Sequence, residues 1–488
     1  MIIPFGEYLP DLPEYGNPGL TIAKNCLPYA TDYQSFPSMV AFSNAISGVA
    51  RGFITTRDKD GNTFSYCADT SALYRLSTAT WVDSSRTAGG AYQTAYDDNW
   101  EFEQFGQSVV ATNLTDAVQT ITLGASNFAA LSGSPPKARH IASVREFLVL
   151  GNVTDYSSGA STPNRVHWSG FDSITTWAPA AATQCDYQDL QGDNGYIQRV
   201  MGGEYGIIFQ ERAIWRMTYI GPPIIFQFDQ IEPGRGTPAP GSVIKHGAQI
   251  YYLGQDDFYK FDGIQSIPIG NNRVYRTFLE DFDTALYHKI SAVALPDKPF
   301  ILWAYPGVGN MGGNPNKILV YNWIDNRWAL IESTIERFCT NWSQGYTLDQ
   351  LDSFGTLDAL AYSLDSRAWT GRSLNLAAFD SSHKLNLFTG TAMDAVFEIG
   401  ERRLFENKRA LVTNITPLID DPGTVTVYAG ARNLLTQTAS FGAAISVNTD
   451  GEAPVMSEGR YHVIRVEVTG GFNHAQGVMA DASVGGRY

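Results

Sequence analysis

Hydrophobic and polar positions alternate over short stretches along most of this chain. In "AIWRMTYI", Ile214, Arg216 and Thr218 point one way and Trp215, Met217 and Tyr219 the other, the period-2 pattern of a β-strand. "IYYLGQDDFYKFDGIQSIPIG", Ile250 to Gly270, shows how such runs are joined. An apolar strand ends in a polar turn, a second strand (Phe258 to Phe261) follows, and Asp262-Gly263 leads to a third. The layout recurs in "FSYCADTSALYRLSTATWVDSS", "SVVATNLTDAVQTITLGASNFAAL", "FLVLGNVTD" continued by "NRVHWSGFDSITTWAP", "GIIFQERAIWRMTYIGPPIIFQFDQI", "FILWAYPG" with "KILVYNWIDNRWALIES", and weakly in "DALAYSLDSRAWTG". Anchors in the middle strands, Tyr74, Val118, Val166, Ile214, Phe258, Val320 and Leu360, lie 44, 48, 48, 44, 62 and 40 residues apart. The long interval holds the clearest helical stretch, Arg273 to Leu286, and the loop "PGVGNMGGNPNK".

A repeat of this length, built from several short strands with aromatic hairpins, predicts propeller blades. One twisted blade has two apolar faces and needs a neighbour on each, so the repeats must close into a ring. The expected ring has six or seven blades, from Arg51 to about Gly371; an irregular β-sandwich is the competing arrangement. No Gly-His…Trp-Asp signature occurs, and "SGFDSITTW" lacks the spacing and glycine of a sialidase Asp-box.

Beyond Leu385 the texture changes. "KRALVTNITPLID", "GTVTVYAGARNLL" and "GRYHVIRVEVTGG" alternate cleanly between Asp-Pro-Gly, Asp-Gly and Gly-Gly turns, which predicts an antiparallel sandwich with one wet face. The N-terminal stretch is rich in Pro and Gly and is expected to lie extended over another domain or a neighbouring subunit. The reading is all-β, in three parts: an extended arm over 1–45, an irregular propeller over 46–375, and a C-terminal sandwich over 376–488.

The composition fits a turn-rich β protein, with 44% hydrophobic, 12% aromatic and 17% charged residues. A net charge of −15 argues against stable DNA wrapping, which needs the opposite sign, but permits DNA to pass without sticking. Cys26, Cys67, Cys185 and Cys339 are far apart and read as buried thiols of a chain made in a reducing cytoplasm. The N-terminus has no basic segment or unbroken apolar run, so no signal peptide is expected. The glycosylation-type sites at Asn113, Asn152, Asn341 and Asn414 then read as chance matches. No apolar stretch approaches the ~20 residues a membrane helix needs.

A search for chemistry finds no constellation. The seven histidines form no HxH or HExxH spacing, and there is no GxSxG elbow or phosphate-binding P-loop. "EPGRGTPAPG" reads as a plain loop. The pairs Asp97-Asp98, Asp256-Asp257, Glu280-Asp281 and Asp420-Asp421 read as solvated turns, and "DKDGNT" lacks the distant glutamate of a calcium loop. No catalytic, cofactor-binding or metal residue is assigned, and no enzyme activity is expected. The densest positive patch is "ERRLFENKR", in which Arg402, Arg403, Lys408 and Arg409 form either a solvated or interface segment or a contact for DNA phosphates or an acidic partner. Trp323 and Trp328 read as blade core rather than ligand platform.

The opening "LPDLPEYGNPGLTIAKNCLPYATDYQSFPSM" resembles the start of tail hub, or nozzle, proteins of short-tailed bacteriophages. "YLGQDDFYKFDGIQSIPIG" looks like a blade of that family and "VYNWIDNRW" like its Tyr-Asx-Trp…Arg-Trp hairpin. "DGEAPVMSEGRYHVIRVEVTGGFNHAQGVMADA" is similar to C-terminal domains of related phage proteins. The resemblance covers most of the chain in layout, through loose motifs. It implies a virion tail protein made in the bacterial cytoplasm, with six copies around a channel below the portal and its adaptor ring. Tail fibres or spikes would dock outside, a needle or plug at the lower mouth, and double-stranded DNA would pass through during ejection. The insertions "TDYSSGASTPNR" and "PGVGNMGGNPNK" are expected to be flexible. The alternative is a particle-borne or secreted propeller enzyme that degrades glycans, with carboxylates or a Tyr/His pair converging at the ring mouth.

Overall fold

In a computed structural model, which describes residues 1–342, 374–406 and 408–485, seven blades of four antiparallel strands follow one another around a ring, six as separate sheets and one as part of a ten-stranded sheet. Blades one to six begin with Gly52–Arg57, Glu101–Phe105, Ala138–Val144, Ile197–Met201, Ile244–His246 and Ser291–Ala294 as their innermost strands. Blade seven begins with Arg337–Trp342, which packs against the first strand of blade one and closes the circle. Six of the sequence anchors lie on or beside the third strand of a blade. The unit around Leu360 lies outside the described residues, and the third strand of blade seven is Lys384–Ala392.

Apolar cores form between blades, as the one-face-covers-the-next argument requires. Tyr66, Trp100, Val109 and Phe128 fill the space between blades one and two. Val110, Leu148, Leu150 and Trp177 join two to three, and Phe147, Trp168, Ile208 and Met217 join three to four. Phe209, Ile214, Tyr252 and Phe261 join four to five. The largest cluster begins with Phe258, Trp303 and Trp328 between blades five and six and runs on into the sandwich.

The fourth strand of blade seven is Pro37–Ala45, from the other end of the chain. Phe42 and Ile46 pack there with Cys67, Trp81, Cys339 and Phe379, so the first and last blades are tied by one core. The expected domain limits therefore shift. Residues 37–45 belong to the propeller, and so does the blade-seven stretch 376–392, which had been assigned to the sandwich. Sequence spacing detects strands that follow one another, and the closing strand precedes its blade by some 290 residues.

The two sheets of the sandwich also take in the N-terminal segment. In one, Ala410–Asp420 pairs with Ala453–Gly459 and His474–Val484, and His474–Val484 pairs in turn with Ile2–Pro4 and Tyr33–Ser35. In the other, Thr424–Arg432, Tyr461–Thr469, Ala395–Ile399 and Leu20–Lys24 lie side by side. Lys24 then pairs in parallel with Leu330 of blade six, making one continuous sheet. The arm thus lies within its own chain, as part of both domains. Strand alternation there is as expected: Val425, Val427, Val466 and Val468 are all buried.

The predicted helix is shorter than its pattern. It spans Tyr275–Asp281, and Asp283 then turns the backbone out and caps a separate 3-10 turn over Thr284–Lys289 by accepting from Ala285 N. Val274 offers the helix no side-chain cap. Asp11 supplies it from 265 residues away, accepting from Arg276 N at 3.0 Å and Thr277 N at 2.7 Å.

Candidate functional site

Three regions carry more polar contacts than folding of a blade requires. The first is the junction of the N-terminal segment with blade six. Asn322 accepts from Ile324 N and Asp325 N, which turns the chain tightly and presents Arg327 inward. The Arg327 guanidinium, 7% exposed, donates to the carbonyls of Gly6, Tyr29 and Ala30 and stands 5.0 Å over the Tyr33 ring. Its neighbour Trp328 is fully buried and donates its indole N–H to the Ile269 carbonyl of blade five at 3.1 Å. The Asn322 amide donates to Pro28 O at 2.8 Å. Three of the four segments that carry the sequence resemblance thus meet in one network, and Trp328 is core, as its pattern predicted. Trp323 is partly buried beside His246, with ring centroids 5.2 Å apart.

The second region is the propeller axis, where a cavity of about 270 Å³ opens at the start of the inner strands. Four of the seven blades contribute a charged or polar group: Glu101 from blade two, Arg139 and His140 from three, Arg199 from four and Arg337 from seven, with His288 from the turn before blade six. Glu101 accepts from His140 Nδ1 at 2.8 Å and from Arg199 Nη1. Burial alone would raise the Glu101 carboxyl, but the Arg199 guanidinium and His140 outweigh it and hold it at about 2. Arg139 Nε lies 2.6 Å from Asp98. Burial, and next the Arg199 charge, lower Arg337 to about 10. Burial, then the nearby Arg51 charge, also lowers Lys289.

Sequence reasoning missed this cluster because its members are about one blade apart and form no local motif. A signal was present. A cation recurs at the start of the inner strand, as Arg51, Arg139, Arg199, Lys289 and Arg337.

The third region is the basic cluster at 401–409, which the fold divides. Arg402 pairs by backbone with His462, and burial lowers its guanidinium. Arg403 donates to the Tyr461 hydroxyl at 2.5 Å, and Glu401 forms a short ion pair with Arg432 at 2.5 Å. Lys408 is exposed, and Arg409 lies 4.0 Å from Glu458.

Of the acidic pairs expected to be solvated turns, Asp420 and Asp421 are exposed, whereas Asp98, Asp257 and Asp281 have structural partners. Asp257 accepts from Phe258 N and Asn271 N, and burial raises it to about 6. Asp281 receives Lys317 at 2.7 Å. In "DKDGNT", Asp58 accepts from Asp60 N, Asn62 N and the Asn62 amide, so its own turn occupies it. The described residues contain no group of three or more potential metal ligands. All four cysteines are free and buried, and Asn113, Asn152 and Asn341 are buried as well. The insertion at 154–165 is pinned rather than loose: Asp155 accepts from Ser157 N, Ser158 N and Arg165. The loop at 306–317 exposes Val308 and Met311, at 71% and 83%.

No family model and no curated protein matches this chain. Among solved structures it is similar to the extracellular domain of a hybrid two component system from B. thetaiotaomicron, with 10% identity and a TM-score of 0.41. That match covers 85% of this chain but 46% of the other, so the chain spans about half the length of that structure. It is also similar to the WD40 domain of Neurospora crassa Pan2, with 8% identity, a TM-score of 0.38, and 74% and 96% of the two chains covered.

Proposed function

We propose that this chain is the hub, or nozzle, subunit of a short bacteriophage tail. Six copies surround the channel below the portal and adaptor ring, fibres or spikes dock on the outer face, and a needle or plug sits at the lower mouth. The observation that carries this reading is the junction at Arg327. The N-terminal run, the "PIG" blade and the "NRW" hairpin, three of the four segments on which the resemblance rests, are the segments that suture propeller to sandwich. A block sewn through in this way keeps its shape under load, which suits a ring whose subunits must hold a duct open while the genome leaves.

Charge supports the same role. Six copies at −15 each carry a formal −90, and a duplex with one charge per ~1.7 Å slides past such a wall instead of binding it. Arg402 is engaged inside the sandwich, which leaves the exposed Arg403 and Lys408 and the half-buried Arg409 as the side chains of that cluster suited to an acidic partner. The glycan-degrading alternative draws no support from the axis. Its most buried carboxylate, Glu101, is held ionised by Arg199 and His140 and makes a poor proton donor at neutral pH. Electron microscopy of the purified chain, alone and with adaptor protein, tests the reading. Six-fold rings with an axial hole are expected; monomers that cleave bacterial surface polysaccharide would replace it with the enzyme.

A further inference from the structure

The axial cavity has a use for its cations that the tail role does not supply. Of the two carboxylates that line it, Glu101 is already engaged by His140 and Arg199, and the exposed Asp97 lies 3.7 Å from Arg139, whose Nε is held by Asp98 at 2.6 Å. Glu103, the next carboxylate along the same strand, accepts from Ser143 N at 3.2 Å. The donors are not all used. His140 is 2% exposed; its Nδ1 meets Glu101, and its Nε2 is buried with no partner among the described residues. Arg199 spends Nη1 on Glu101, and its buried Nε has none either. The Arg337 guanidinium, which lines the same cavity, makes no side-chain hydrogen bond or ion pair with the described residues. Lys289 and Arg51 stand close enough to Arg337 to repel it.

Unpaired buried donors are destabilising, and cations crowded together add repulsion. An arrangement of this kind persists where something anionic completes it. We propose that the propeller axis binds a small oxyanion of the phosphate class, held by Arg199, Arg337 and the Nε2 of His140. The cavity of about 270 Å³ has room for one such ion with waters. Guanidinium forks match tetrahedral oxyanion geometry, and the His140 Nε2 adds a third contact. The site would give the ring of blades a central ionic pin, independent of whether six copies assemble.

The test is calorimetric titration of the full chain with inorganic phosphate at constant ionic strength, with selenate-soaked crystals to locate the ion by anomalous scattering. Saturable one-site binding is expected, with the selenate peak beside Arg199 and Arg337. Arg337→Met should weaken binding at least tenfold, and Arg337→Lys by less. Neither variant should lose stability in phosphate-free buffer, because an unpaired buried charge is removed or kept as a smaller one. Binding that Arg337→Met leaves unchanged, a selenate peak elsewhere, or no saturable heat would overturn the proposal and leave the cavity filled by water alone.

Discussion

Removing the Arg327 guanidinium tests how much one side chain contributes to joining the two domains. In Arg327→Met the carbonyls of Gly6, Tyr29 and Ala30 lose a charged donor inside the protein, and Tyr33 loses the cation over its ring. At about 1–1.5 kcal/mol for each stranded acceptor, the loss is about 4 kcal/mol. At 1.36 kcal/mol per decade that is a roughly thousandfold rise in the population with the N-terminal segment detached. Native-state amide exchange reads this population directly. The amides of Cys26, Leu27 and Tyr33–Ser35 should exchange about a thousandfold faster, while those in blades two and three stay protected. Arg327→Lys should recover only part of the protection, because one ammonium cannot serve carbonyls on two separate turns as the planar fork does. Equal exchange in wild type and Arg327→Met would refute the claim that this residue sutures the domains.

Three further outcomes follow from the same contacts. Phe42→Ala should open the closure between blades one and seven at a cost of about 3–5 kcal/mol, making Cys67 and Cys339 reactive to a thiol reagent while Cys185 stays protected. Asp11→Ala should cost about 1–2 kcal/mol in denaturant midpoint, since the helix at Tyr275 loses its only side-chain cap among the described residues. The Glu101 carboxyl titrates at about 2 folded against its ordinary 4.5, so its stabilisation is complete above pH 4.5 and is lost as pH falls toward 2. A Glu101→Gln variant should therefore lose this part of the acid-induced destabilisation, seen as a flatter unfolding midpoint between pH 4.5 and 2.

Much of the fold was legible in the sequence because blades are local. Their strands follow one another, their alternation is regular, and residues such as Phe258 and Val166 mark equivalent strands through spacing alone. The closing strand at Pro37–Ala45 and the interlaced strands at Ile2–Ser35 were not legible, since pairing across hundreds of residues leaves no periodicity. Proline and glycine in that segment pointed to extended chain but not to its partner. Arg327 and Trp328 were visible as a motif, but their donor roles depend on the carbonyls of the N-terminal turns, which only the fold brings near. The axial cluster was hidden for a similar reason: Glu101 and Arg199 are two blades apart and meet at the centre of the ring.

The most direct test of the hub assignment is single-particle microscopy of the purified chain with its adaptor ring. A six-fold ring around an open duct, with acidic side chains toward the lumen, is the predicted result. Particles of one or two copies with no duct, or a duct lined by cations, would contradict it.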